Sequence, residues 1–177
     1  MFEDLTELTL ASALFLGGHV ILSAESVRGP LRAKLGGGPF QGLYSLIAVG
    51  TLVWMTLAYF AAPDTKLWQA PTFFLHLPLS LMLLLFIAMA ASFTASSPAS
   101  IWAPDPSLED GPRGLFRITR HPLMWATGIW ALLHLAATSS SRGIVFFGAL
   151  AVLALAGPLL IERRKARELG DQWTAYL

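Results

Sequence analysis

No cysteine occurs in the chain, which removes disulfides, iron–sulfur clusters, thiolate-ligated haem and thiol nucleophiles together. Histidine is left as the one good soft-to-borderline metal ligand. Charge is almost as scarce: Asp, Glu, Lys and Arg make up 13% of 177 residues, against about 25% in soluble domains. No charged residue lies inside the stretches Leu35 to Pro63, Leu67 to Pro104, His121 to Ser141 or Gly143 to Ile161. Water is a poor solvent for such segments. A net charge of +1 with no basic patch excludes nucleic acid as a partner. The amino terminus has no basic region ahead of its first apolar run and carries Glu3, Asp4 and Glu7 instead. That run is therefore expected to stay in the protein and not to be cleaved as a signal peptide. Internal repeats are absent as well.

What is present is apolar residues, 55% of the chain. They gather at Leu8 to Ala24, Gly42 to Ala62, Pro71 to Ala95, Pro122 to Thr138 and Gly143 to Ile161, runs of 17 to 25 residues. About 20 helical residues cross a hydrocarbon core of about 30 Å, and lipid requires backbone groups to be satisfied within the segment. The expected fold is all-α, a polytopic membrane bundle of about five helices forming one domain over residues 1–177. Gly29-Pro30, Gly36-Gly37-Gly38-Pro39, Pro98, Pro104, Pro106 and Gly111-Pro112 read as loops. The long connector from Ser92 to Gly114 is a candidate lid or binding loop.

Ten of the 12 Lys and Arg residues fall in alternate connectors. These are Arg28, Arg32 and Lys34, then Arg113, Arg117 and Arg120, then Arg163, Arg164, Lys165 and Arg167 in the tail; only Lys66 and Arg142 lie on the other side. The positive-inside rule then puts the carboxyl terminus in the cytoplasm and the amino terminus outside, in what is expected to be a bacterial inner membrane. The tail, with Leu169, Trp173 and Tyr176 among its basic residues, suits an amphipathic helix lying on lipid.

Three histidines, His19, His76 and His134, sit at membrane depth, and His121 stands just ahead of a run. An ionisable group at that depth is costly unless it is paired or functional. No carboxylate accompanies them, so a di-iron site, a zinc hydrolase and a carboxylate proton relay lack parts. Imidazole chemistry remains, and two neutral imidazoles on different helices are a usual way to hold a haem iron, whose macrocycle brings four nitrogens. His121 and His134, 13 positions apart, would lie about 20 Å apart along one helix and cannot share a metal. By depth alone His76 would meet His134, and His19 would meet His121. The small residues near His19 and His134 suit a flat ligand or close helix packing. In Arg117-Ile-Thr-Arg-His-Pro122, Arg117, Arg120 and His121 could receive an anion at a helix start, or serve only as a topological anchor.

Gly18-His19 with Ser23, Arg28, Leu31 and Arg32, then Gly42-Leu-Tyr-Ser45, Leu67-Trp-Gln69, Arg117-Ile-Thr-Arg-His-Pro122, and Leu169-Gly170 with Trp173 and Tyr176, resemble the NnrU family of membrane proteins over nearly the whole chain. The resemblance extends to the plant 15-cis-zeta-carotene isomerases and implies haem b, with His19 and His134 matching the ligand histidines. His76 and His121 have counterparts too. Ala131 stands where the plant relatives place a cysteine. Bacterial relatives are linked by name to nitrite and nitric oxide reduction, which implies a redox or isomerase-type role. The Arg-His-Pro string with Glu162, Leu169-Gly170 and Tyr176 is also similar to the isoprenylcysteine carboxyl methyltransferases and phospholipid methyltransferases, implying S-adenosylmethionine. A non-catalytic accessory subunit is a third expectation.

Overall fold

The computed structural model describes residues 4–94 and 111–176. Among them there is no strand, and seven α-helices account for most of the chain: α1 (Thr6–Ser23), α2 (Glu25–Leu35), α3 (Gly37–Ala61), α4 (Thr72–Ala91), α5 (Pro122–Thr138), α6 (Ser141–Leu169) and α7 (Asp171–Tyr176). α1, α3, α4 and α6 are long and apolar enough to cross a membrane. The fifth expected span, α5, is apolar but has 17 residues, about 25 Å of rise, a few ångströms short of a typical core. The lid expected between Ser92 and Gly114 falls largely on residues 95–110, outside the described residues.

Three departures from the sequence reading have local causes. Glu25–Leu35 is helical although Gly29-Pro30 reads as a loop. Pro30 withholds one N–H, but the helix has no buried residue, so the carbonyl it leaves unpaired can be solvated. In the Gly36-Gly37-Gly38-Pro39 run only Gly36 breaks the helix, with φ 86°, a conformation that costs glycine little. At the other end, α6 passes Ile161 without interruption and stops at Gly170, φ 53°, because Glu162 to Leu169 is made of good helix formers.

The chain forms two compact units, one of the residues up to Ala70 with Thr138–Ala149, the other of Pro71–Ala137 with the residues from Leu150 onward. In the first, α1 and α3 run antiparallel. Glu7 accepts a 3.0 Å hydrogen bond from Trp54 Nε1, while Ser23 Oγ and Tyr44 Oη lie 3.5 Å apart. Leu8, Ala11 and Phe15 of α1 and Phe40, Met55 and Ala58 of α3 are buried. Tyr59 packs on Phe146 and Phe147 at ring distances of 4.7 and 5.8 Å.

The connector between α3 and α4 is tied to the one ahead of α6. Lys66 and Ser140 form an antiparallel bridge, Leu67 N donates to Ser139 O at 2.9 Å and Ser141 N to Thr65 O at 3.0 Å. Arg142 reaches the same place. Its Nε pairs with Asp64 at 3.3 Å, its Nη1 donates to the Ala62 carbonyl at 3.2 Å, and its guanidinium carbon lies 5.0 Å from the Tyr59 ring centre.

In the second unit α5 and the later part of α6 are antiparallel and close. A Cβ built on Gly128 would stand 3.0 Å from Leu155 Cδ2, and one on Gly157 would stand 3.1 Å from Met124 Cε. Bare glycine at both contacts lets the two backbones approach. Trp173, expected among the lipid-facing residues of the tail, is 1% exposed. Gly170 turns the chain into α7, and protein covers the indole.

Exposure fits a lipid solvent. Leu46 and Phe60 on α3 and Leu79 and Leu83 on α4 are all about 70% exposed, an expensive arrangement in water.

Candidate functional site

The register of α5 against α6 places Glu162 beside the Arg-His-Pro string. A 3-10 turn at Gly114–Arg117, anchored by buried Phe116, leads to His121, whose carbonyl accepts the first helical bond, from Trp125 N at 3.0 Å. Pro122 then occupies the first helical position, where its missing N–H costs nothing. His121 Nε2 lies 2.9 Å and Arg120 Nε 3.0 Å from the same oxygen, Oε1 of Glu162.

The exposures of the three side chains differ, at 6% for His121, 25% for Glu162 and 39% for Arg120. Burial pushes the His121 pKa down from its ordinary value, and Arg120 works the same way, while the Glu162 carboxylate opposes both. A neutral ring that bonds a carboxylate through Nε2 must carry its proton there. Nδ1 then holds the lone pair. Arg117, expected to join Arg120 and His121 around an anion, ends the 3-10 turn as an exposed residue. The anion that Arg120 and His121 meet is a side chain of this protein. Glu162 entered the sequence reading only through the methyltransferase resemblance, since nothing in local spacing joins residues 41 positions apart.

His19 lies in the first unit. Its Nδ1 donates to the Phe15 carbonyl at 2.8 Å, its ring stands 4.5 Å from Phe15, and Tyr44 meets it edge-on at 5.6 Å. A shallow crevice borders it, lined by Gly18, Tyr44, Ile47, Ala48 and Thr51 among others. Tyr44 belonged to a matching string, but its contact with His19 was not foreseen. The signal available was an aromatic near the start of one apolar run facing the end of another.

His134, in the second unit, is held in the same way. Nδ1 donates to the Trp130 carbonyl at 2.9 Å, and the ring lies 4.6 Å from the Trp130 ring. In both histidines the bond sets the orientation of the ring, as a bond at the second ring nitrogen does for metal-binding imidazoles. His76 is exposed on α4, and its own carbonyl accepts from Ser80 Oγ.

Among the described residues, no group of three or more His, Cys, Asp or Glu side chains could hold a metal ion. Haem makes a smaller demand, because it brings four nitrogens and needs only axial ligands. The donor type fits that group: His19 and His134 are imidazoles, each oriented by an Nδ1 bond to the carbonyl four residues back.

Helices of membrane length, a buried imidazole that meets a partly exposed carboxylate and guanidinium, and tethered histidines within apolar helices define an all-helical membrane protein. The family model described as NnrU protein matches residues 7–176. The chain belongs to the NnrU family. Neither the curated proteins nor the solved structures contain a match to it.

Proposed function

We propose that this NnrU family protein binds haem b, with His19 and His134 as axial ligands, and serves a redox or isomerase-type function on an apolar or small-molecule ligand. Nitrite or nitric oxide metabolism and carotenoid-like substrates are the two directions the family points to. The supporting observation is the shared tether: His19 Nδ1 to Phe15 O and His134 Nδ1 to Trp130 O. Bound haem would supply a redox-active, ligand-accepting iron. The chain's own contribution is to orient each imidazole by its backbone bond and to place it against an aromatic neighbour, Phe15 for His19 and Trp130 for His134. Of the alternates, His121 bonds Glu162 through Nε2 and would have only Nδ1 to offer an iron, and exposed His76 has no comparable tether. The orientation proposed is amino terminus outside and carboxyl terminus cytoplasmic in a bacterial inner membrane. The test is the absorption spectrum of purified protein expressed with ample haem, oxidised and dithionite-reduced, for wild type and for alanine variants of His19, His76, His121 and His134. Loss of the low-spin spectrum in His19→Ala and His134→Ala is expected. A colourless wild type overturns the reading.

A second reading, an S-adenosylmethionine-dependent methyltransferase, is favoured by one observation, the meeting of Arg120 and His121 on Glu162. It requires heat on titration of the purified protein with S-adenosylmethionine and weaker binding in Glu162→Gln. No heat together with a Soret band disposes of it.

A further inference from the structure

α2 joins neighbouring ends of two helices of membrane length. α1 and α3 are antiparallel, and α2 fills their connection except for Ala24 and Gly36. With α1 and α3 spanning a bilayer, α2 lies at its surface.

The sequence of α2 suits that position. At about 100° per residue, Val27, Leu31 and Leu35 form one stripe. Arg28 and Arg32 border it on one side, with Glu25 just beyond Arg32, and Lys34 borders it on the other, while Ser26, Gly29 and Ala33 lie opposite. Basic side chains flanking an apolar stripe can bury their stems and reach outward to phosphates. No residue of α2 is buried, and Leu35 is 42% exposed. Arg28 holds its guanidinium carbon 6.0 Å over the Phe40 ring. The Arg32 head reaches the start of α3, where a Cβ on Gly37 would stand 3.5 Å from Arg32 Nε. A guanidinium at the positive end of a helix is unfavourable by itself and favourable once an anion joins it.

We propose that α2 is an in-plane helix that docks on an anionic phospholipid surface, its Val27–Leu31–Leu35 stripe at the acyl boundary and Arg28, Arg32 and Lys34 on headgroup phosphates. This goes beyond the haem reading and rests only on α1 and α3 as spans.

The cysteine-free chain permits a direct test. Full-length protein carrying a donor dye at Ala33→Cys is reconstituted in vesicles of phosphatidylcholine and phosphatidylglycerol, with an acceptor on the headgroup of a trace of one lipid or the other. Energy transfer to the phosphatidylglycerol tracer should exceed transfer to the phosphatidylcholine tracer several-fold, each neutralisation, Arg28→Gln, Arg32→Gln or Lys34→Gln, should lower the ratio, and the triple substitution should bring it to about one. Raised ionic strength should lower it in the wild type too, a measurement that holds even if a variant fails to insert. Equal transfer to both tracers, or a ratio unmoved by both salt and the triple substitution, overturns the proposal.

Discussion

His121, on the residue ahead of α5, donates Nε2–H across 2.9 Å to Oε1 of Glu162, deep in the sequence of α6. Arg120 approaches the same oxygen from a more exposed position, at 3.0 Å. One carboxylate oxygen therefore balances two groups, and removing it leaves a buried ring and a guanidinium without their acceptor.

Glu162→Ala should lower stability by about 1 to 2 kcal/mol. A hydrogen bond to a charged group contributes about 1.5 to 3 kcal/mol, and the solvent around Arg120 reduces that share. Chemical denaturation in detergent, followed by circular dichroism, measures it. Arg117→Ala, on an exposed residue, should change stability by less than about 0.5 kcal/mol.

The pH dependence follows from burial of the His121 ring, which holds its pKa below the ordinary value of 6.5. Between the folded and unfolded values the unfolded chain binds more protons, so stability rises with pH there. The contribution is complete above about pH 6.5 and is lost as pH falls through the lower folded value. Melting temperature should therefore drop on acidification from neutrality, and His121→Gln should remove that part of the slope.

Arg142→Ala should be more damaging than Asp64→Asn. Arg142 donates to the Ala62 carbonyl, pairs with Asp64 and lies over Tyr59, a combination with an expected loss of about 2 to 3 kcal/mol. Asp64→Asn keeps the carbonyl bond and the ring contact and should lose about 1 kcal/mol. The Asp64 pKa is held below its ordinary value by Ser140 and then by Arg142 and Lys66. This contribution is present above the ordinary carboxylate value of 3.8 and is lost only as pH falls through the lower folded one.

Gly128→Ala should be tolerated, because the first atom met is the movable end of Leu155. Gly128→Phe should force α5 and α6 apart at an expected loss of about 1 to 3 kcal/mol. A drop in stability comparable to that of Glu162→Ala would show that the helix approach and the Glu162 contact stand together.

Single cysteines test the orientation proposed from the basic asymmetry. Thr65→Cys should be labelled from outside intact cells and Gly36→Cys protected. The reverse pattern would invert the protein in the membrane.

The apolar runs made α1, α3, α4 and α5 legible within a few positions, because exclusion of charge over a membrane's thickness leaves few alternatives. α2 was hidden by Gly29-Pro30, whose loop signal assumes that a missing N–H must be buried. The partner of His121 was hidden for another reason. Its contact with Glu162 depends on the register of two helices, set by the bare glycines Gly128 and Gly157, and no local pattern reports a register. His19 and His134 belong to different units, so their proposed joint ligation rests on the family resemblance and on the matched tethers.

The first unit is discontinuous in sequence, since Arg142 and Phe146 come to Asp64 and Tyr59 from a segment that begins at Thr138. During synthesis, then, the amino-terminal helices can be made and inserted while their last supports do not yet exist. Until the ribosome has passed Ala149, Asp64 has no Arg142 to hold and the Tyr59 ring has no Phe146 against it. A stalled or truncated chain would carry that unfinished surface in the bilayer, where proteolytic quality control could recognise it.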